Sequence, residues 1–216
     1  MLSDGSDGGP AVALVDVPDR QEVDLLGPPR RGCWLVSGPP SSGRSSALRA
    51  VVLATSVGRR ADDLHVHLVD GGGGLEPLDA LPHVGTHLRA EDHASVRRLV
   101  EHLRAEVDLR LRQRAGSSAT PQHRADVLLA VDGWEHLVEG QPHGDHGHVA
   151  DALVRVLRDG PGVGVWAVVS GGRSLLQPRW AQVGADVLLL GVVDPMDAAL
   201  AGLRPRDLPS DPPFIW

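Results

Sequence analysis

Lysine, asparagine and tyrosine are missing from the 216 residues, and cysteine occurs once. All 21 Lys-or-Arg positions are therefore arginine, so any site that needs a lysine must here use a guanidinium. The single thiol, Cys33, excludes an internal disulfide and agrees with a reducing compartment. It lies in an apolar run and reads as core filler, not as a nucleophile. Aromatic residues make up 3% of the chain, which leaves Val, Leu and Ala to build the core. No apolar run approaches the roughly 18–20 residues needed to cross a bilayer. The opening MLSDGSDGGP lacks the basic start and apolar stretch of a signal peptide. A cytosolic setting is expected, with any membrane association made through a partner or a segment not in this sequence. Positive charge is in short supply too. The net charge is −7 and the pI about 5.8, so binding DNA by this chain alone is disfavoured, because such binding rests on neutralising phosphates.

What is present is enough for one α/β domain with a real core. Residues 1–30, rich in Gly, Pro and Asp, read as an extended lead-in with one edge strand around Ala11–Val17. The body of the domain is expected over 31–208, with a tail at 209–216. Strand-like runs at Cys33–Ser37, Leu64–Val69, Asp126–Val131, Val163–Ser170 and Asp186–Leu190 alternate with helical patterns at Ser45–Ser56, Glu91–Arg114, Val149–Leu157 and Pro195–Leu203. Alternation of this kind predicts a mainly parallel sheet with helices on both faces. Ala115–Arg124 and Gly140–His148 read as loops.

The sharpest chemical signal is Gly38-Pro39-Pro40-Ser41-Ser42-Gly43-Arg44-Ser45, followed by Ser46. It fits the phosphate-binding pattern G-x-x-x-x-G-K-[ST], with Arg44 in the lysine position, between an apolar strand and a helix. Glycines let backbone N–H groups turn toward an anion, and a helix N-terminus adds partial positive charge. Ser45 would offer its hydroxyl to Mg²⁺. The same residues also suit a plain strand-to-helix turn. Arginine is a wide planar fork where lysine is a slim point charge, so it neutralises phosphate but weakens or shifts binding.

Downstream, Asp126–Asp132 is an apolar strand ending in an acid. Such an Asp beside a phosphate loop holds magnesium, although a strand-capping Asp is the ordinary alternative. Many motor ATPases place Glu directly after it as the general base. Here the position is Gly133, and loss of a base typically costs about 10²–10⁴ in rate. Glu135, two positions on, is expected to point elsewhere. No residue is assigned a catalytic role.

Two further features carry less. Asp70 with Gly71–Gly74 follows a strand but lacks phosphate-loop spacing, and reads as a tight turn packed near the nucleotide or a neighbour. His136, His143, Asp145, His146 and His148 include metal-capable side chains without a closed tetrahedral spacing, and read as solvated.

From about Ala11 to Leu208 the chain resembles the FtsK/SpoIIIE family, most of all the EccC-type modules of type VII secretion motors. The resemblance is carried by Asp16-Val17-Pro18-Asp19-Arg20-Gln21, by Gly38–Ser45, by Asp70-Gly71-Gly72-Gly73-Gly74-Leu75 with Leu81-Pro82-His83-Val84-Gly85, by Asp132-Gly133-Trp134 and by Val168-Val169-Ser170-Gly171-Gly172-Arg173. It implies a RecA-like P-loop core, ATP and Mg²⁺ as ligands, and a place in a ring or tandem array. It also implies that the segment with Ser170 and Arg173 senses the terminal phosphate. Partners would be other ATPase modules, secretion-machine subunits or a secreted helical substrate. Arg44 and Gly133 depart from the family's active pattern, and further strands are expected beyond Trp216.

The reading is an ATP-binding module, weakly hydrolysing or inactive, that regulates a type VII secretion-type motor. A working ATPase powering protein or DNA translocation is the first alternative. An interaction domain binding a helical secretion signal without nucleotide is the second.

Overall fold

Four consecutive buried residues, Trp34–Ser37, form the strand that enters the glycine-rich loop, and their burial on both faces sets the plan of the molecule. The computed structural model describes residues 10–17, 21–29, 32–116, 124–139, 146–191 and 194–204. In chain order these give β1 (Ala13–Val17), β2 (Glu22–Leu26), β3 (Trp34–Ser37), α1 (Arg44–Ser56), β4 (Leu64–Asp70), β5 (Val84–Arg89), α2 (His93–Gly116), β6 (Asp126–Asp132), α3 (Trp134–Glu139), α4 (His146–Asp159), β7 (Val165–Gly171), β8 (Asp186–Leu189) and α5 (Pro195–Leu200). Short 3₁₀ turns cover Glu76–Ala80, Pro161–Val163, Arg173–Leu176 and Pro178–Val183.

Six strands form one parallel sheet in the order β5-β4-β6-β7-β3-β8. Strand β7 lies between the loop strand β3 and the acid-ended strand β6. In register, Ser37 stands beside Gly171 and Leu189, and Asp70 beside Asp132. The carboxyl ends of β3, β4, β6, β7 and β8 thus meet along one edge, where ligands of open α/β sheets bind. Leu128, Leu129 and Ala130 are consecutive and fully buried, as is all of Val165–Val169, so both faces of the sheet are covered.

Helix α1 packs on β3, β6 and β7, whereas α4 packs on α2 and β7. In α2 the buried residues are Val96, Leu99, Val100, Leu103 and Val107, the 3-4 spacing of a single apolar stripe. Each such side chain, fully buried, stabilises the fold by about 1.5–3 kcal/mol. Cys33 is core filler as expected. Its thiol donates to the Leu157 carbonyl at 3.2 Å, and burial pushes its pKa up to about 11.

The main strand and helix positions match the sequence expectation, with these differences. The lead-in holds two strands instead of one. They pair antiparallel with each other (Leu14 opposite Leu25) and stand outside the six-stranded sheet. Strand β5 and helix α3 are additional elements. Helix α4 starts at His146, inside the segment read as a loop, and α2 runs on to Gly116. Residues 18–20 of the lead-in, 117–123, 140–145 (with His143 and Asp145) and the 209–216 tail lie outside the described residues. Among those described, no group of three His, Cys, Asp or Glu is placed to hold a metal. No described helix is long and apolar enough to cross a membrane.

Candidate functional site

The turn after β3 needs unusual backbone. Gly43 sits at φ 91°, with open space where a Cβ would stand, and Ser41 at φ 64°, a left-handed conformation that costs a non-glycine residue about 1 kcal/mol or more. Gly38 has no room for a side chain: a Cβ there would lie 2.5 Å from Ser42 Oγ and 2.6 Å from the Leu190 carbonyl. Its amide donates to the Gly171 carbonyl at 3.2 Å, and the Ser42 amide to the Pro39 carbonyl at 3.3 Å. The first bond of α1 runs from the Ala47 amide to the Gly43 carbonyl, so the amides of Arg44, Ser45 and Ser46 stand ahead of the helical ladder. No acidic side chain occupies that first turn. The Ser42 hydroxyl is buried without a partner among the described residues.

Three of the expected site residues come together. Ser45 Oγ donates to Asp132 Oδ2 at 2.7 Å, and Ser170 Oγ donates to Asp132 Oδ1 at 2.5 Å. Ser170 Oγ in turn accepts the Gly133 amide at 3.0 Å. The end of β7 therefore ties the end of β6 in place, and the loop serine meets the same carboxylate from the other side. Asp132 and Ser170 are 5% and 0% exposed.

The Asp70 turn packs directly on this group. The Gly72, Gly73 and Gly74 amides donate to Asp70 Oδ1 at 2.9, 2.7 and 3.2 Å, and the Leu75 amide to Oδ2 at 2.8 Å. Burial alone pushes the Asp70 carboxyl up, but the amides of Leu75, Gly72, Gly73 and Gly74 outweigh it and hold it below the usual carboxylate range. A Cβ on Gly74 would meet Ser45 Cβ at 2.9 Å and Asp132 Oδ2 at 3.1 Å. One on Gly71 would meet the Asp132 carbonyl at 2.7 Å. The glycines here serve close approach to Ser45 and Asp132, in line with a tight packed turn.

A cavity of about 390 Å³ opens beside the loop, walled by Ser37–Pro40 and Arg44 on one side and Leu189–Gly191 on another. Such a volume falls in the range of small-molecule pockets. Glu135 and His136 of α3, with Gly172, Arg173 and Asp197, complete the lining. Arg44 Nη1 bonds Glu135 Oε1 at 3.3 Å, and the Gly172 amide donates to the same oxygen. This corrects the expectation that Glu135 points elsewhere. Gly133 takes φ 75°, which ends β6 and starts α3 at once, and the first turn of α3 carries Glu135 back over the loop. Sequence spacing missed this residue; the glycine after the acid was the available signal.

The remaining assigned residues are placed less centrally. Arg173 lines the cavity but its guanidinium pairs with Asp194 at 3.4 Å and Asp197 at 3.0 Å. The Ser46 side chain is exposed and its hydroxyl accepts from Arg49 at 3.1 Å. Pro40 and Ser41 are exposed at the tip of the loop.

Residues 17–123, which include the whole loop and the Asp70 turn, match the model of the FtsK/SpoIIIE family. The chain carries an FtsK/SpoIIIE-family domain. The ESX-4 secretion system protein EccC4 of Mycobacterium tuberculosis is 28% identical over 94% of this chain and 17% of its own length. The ESX-1 secretion system protein EccCb1 of the same organism is 26% identical over 82% of this chain and 32% of its own. The FtsK/SpoIIIE domain and its flanks thus span about a sixth to a third of these relatives.

Solved structures agree on the fold. ATPases 2 and 3 of Thermomonospora curvata EccC, in complex with a signal sequence peptide, superpose with a TM-score of 0.72 at 24% identity, over 94% of this chain and 41% of that one. ATPases 2 and 3 of Geobacillus thermodenitrificans EssC give 0.75 at 18%, over 98% and 43%. The FtsK/SpoIIIE domain is therefore an α/β P-loop ATPase fold, homologous to the EccC and EssC modules of type VII secretion.

Proposed function

We propose that this FtsK/SpoIIIE domain binds a nucleotide polyphosphate with Mg²⁺ at the Gly38–Ser46 loop, turns it over slowly or not at all, and regulates a type VII secretion-type motor. The observation that carries the reading is the meeting of Ser45 and Asp132 at 2.7 Å beside a loop that opens on the 390 Å³ cavity. The residues fit the ligands. A serine hydroxyl and a carboxylate are the hard oxygen donors that suit Mg²⁺. A Cβ at Gly74 would press on both, 3.0 Å from Ser45 Oγ and 3.1 Å from Asp132 Oδ2, so the glycine keeps these donors clear. The bound cation would supply charge neutralisation for the phosphates. Amides at the head of α1 and the Arg44 guanidinium would hold phosphate oxygens, with Ser170 and Arg173 as the phosphate-sensing pair. Slow turnover is supported by Gly133 in place of an acid and by the pairing of Arg44 with Glu135. Such a module acts by population shift: the bound form stabilises one folded or assembled state without any need for hydrolysis.

The curated relatives are secretion-system proteins several times longer than this chain, which supports other ATPase modules or secretion subunits as partners. Titration with Mg²⁺–ADP and Mg²⁺–ATP, read by tryptophan fluorescence and thermal shift, tests the reading directly. Arg44→Ala is expected to weaken binding about tenfold or more, since a charged hydrogen-bond partner is removed. An unshifted melting curve at millimolar nucleotide would remove the nucleotide and favour an interaction domain. Steady phosphate release by the isolated chain would favour a working ATPase.

A further inference from the structure

The two guanidiniums that line the cavity both face carboxylates of this chain. Arg173 is held by Asp194 and Asp197, and Arg44 by Glu135. The second pair is the closer to the loop and the better enclosed, with side chains 20% and 27% exposed. Glu135 also accepts the Gly172 amide, so one carboxylate oxygen sits on a guanidinium and a backbone N–H together. Gly172 is shaped around that oxygen: a Cβ there would lie 2.7 Å from Glu135 Oε1 and 3.8 Å from Arg44 Nη1. A cationic fork plus an inward amide is the donor set that phosphate oxygens use, and the side chain at the Arg44 position of a phosphate loop is the one that reaches the outer phosphates.

Taking the nucleotide reading above as its basis, we infer that Glu135 is an internal stand-in for the terminal phosphate, which makes this site selective for nucleoside diphosphates over triphosphates. A diphosphate uses the amides of the loop and the remaining guanidinium nitrogens of Arg44, and leaves the Nη1 contact with Glu135 intact. A triphosphate must bring its most charged end to Arg44, where it either meets the carboxylate as a like charge or displaces it from Arg44 and the Gly172 amide. Selectivity then comes from the repulsive element, with no contact unique to the diphosphate. The left-handed turn at Gly133 fixes the device, because it is what returns Glu135 to the loop.

Isothermal titration of the full chain with Mg²⁺–ADP and Mg²⁺–ATP tests this, on wild type and on Glu135→Gln. The glutamine keeps an acceptor for the Gly172 amide and loses the charge, and Glu135→Ala with a urea midpoint serves as a second variant where folding is in question. Wild type is expected to bind ADP at least tenfold more tightly than ATP. Glu135→Gln should tighten ATP about tenfold and change ADP less than threefold. Wild type that prefers ATP, or an ATP/ADP ratio unmoved by both variants, overturns the inference while leaving nucleotide binding in place. Loss of phosphate release with unaltered affinities makes Glu135 a water-activating base and overturns it as well. Failure of both nucleotides to bind removes this inference together with the nucleotide reading.

Discussion

Two glycine-rich turns leave the same edge of the sheet, and their amides have opposite fates. At 70–75 the chain supplies its own anion: Asp70 collects four backbone N–H groups and lies fully buried. At 38–45 no acid lies in the first turn of α1, and the carboxylates that reach the loop meet side chains instead, Asp132 the Ser45 hydroxyl and Glu135 the Arg44 guanidinium, beside the cavity. The 70–75 stretch holds four glycines and the 38–45 stretch two, yet both follow a parallel strand. What separates a structural turn from an anion site is where the N–H groups go. The first is a filled nest. The second is open.

The comparison breaks most severely at Asp70. Replacing it by alanine leaves four amides without their acceptor, and a loss of about 3–5 kcal/mol is expected in urea unfolding. The difference between wild type and Asp70→Ala also depends on pH. Because the folded carboxyl titrates below its unfolded value, its contribution is present above about pH 4 and disappears as pH falls through the lower folded value. Unfolding curves on the acid side should therefore converge. A gap that widens on acidification would contradict the direction of the shift.

Gly74→Ala is expected to cost less, about 2 kcal/mol, but to act across both turns. The new Cβ presses on Ser45 and Asp132, so nucleotide affinity should fall along with stability. Gly72→Ala is the smallest change. Nothing lies within 4 Å of its Cβ and its backbone is not left-handed, so stability should stay within about 0.5 kcal/mol. A large loss there would mean that the Asp70 turn owes its shape to more than its amide bonds.

Much of this was legible in the residues. Val/Leu runs marked β3, β6 and β7, whose burial on both faces makes them read as near-continuous apolar stretches. Strands β4 and β8 showed through their Val and Leu although His65, Asp186 and Val187 are exposed. The loop, Ser45 and Asp132 were found from motif spacing and Ser170 from the family resemblance, and the three side chains meet in the structure. What stayed hidden depends on non-local fit. Strand β5 is only partly covered, and Val84-Gly85-Thr86-His87-Leu88-Arg89 lacks both an apolar run and a clean alternation. The lead-in gave one apolar run and hid its partner, since Glu22–Leu26 mixes acids with Val and Leu and stays largely exposed. Glu135 was misplaced because its direction follows from one left-handed glycine, and spacing along a chain does not record the sign of φ.

The grip on Asp132 has a thermodynamic consequence. With one oxygen fixed by Ser170 and the other by Ser45, its rotamer is chosen when the sheet folds, so a hard cation arriving there would have little ordering left to impose on that side chain. Under the proposed Mg²⁺ binding, cation affinity at this corner would be coupled to the integrity of β7, a strand that need not touch the ion at all. Fraying at Ser170 would loosen the metal while the loop itself kept its form.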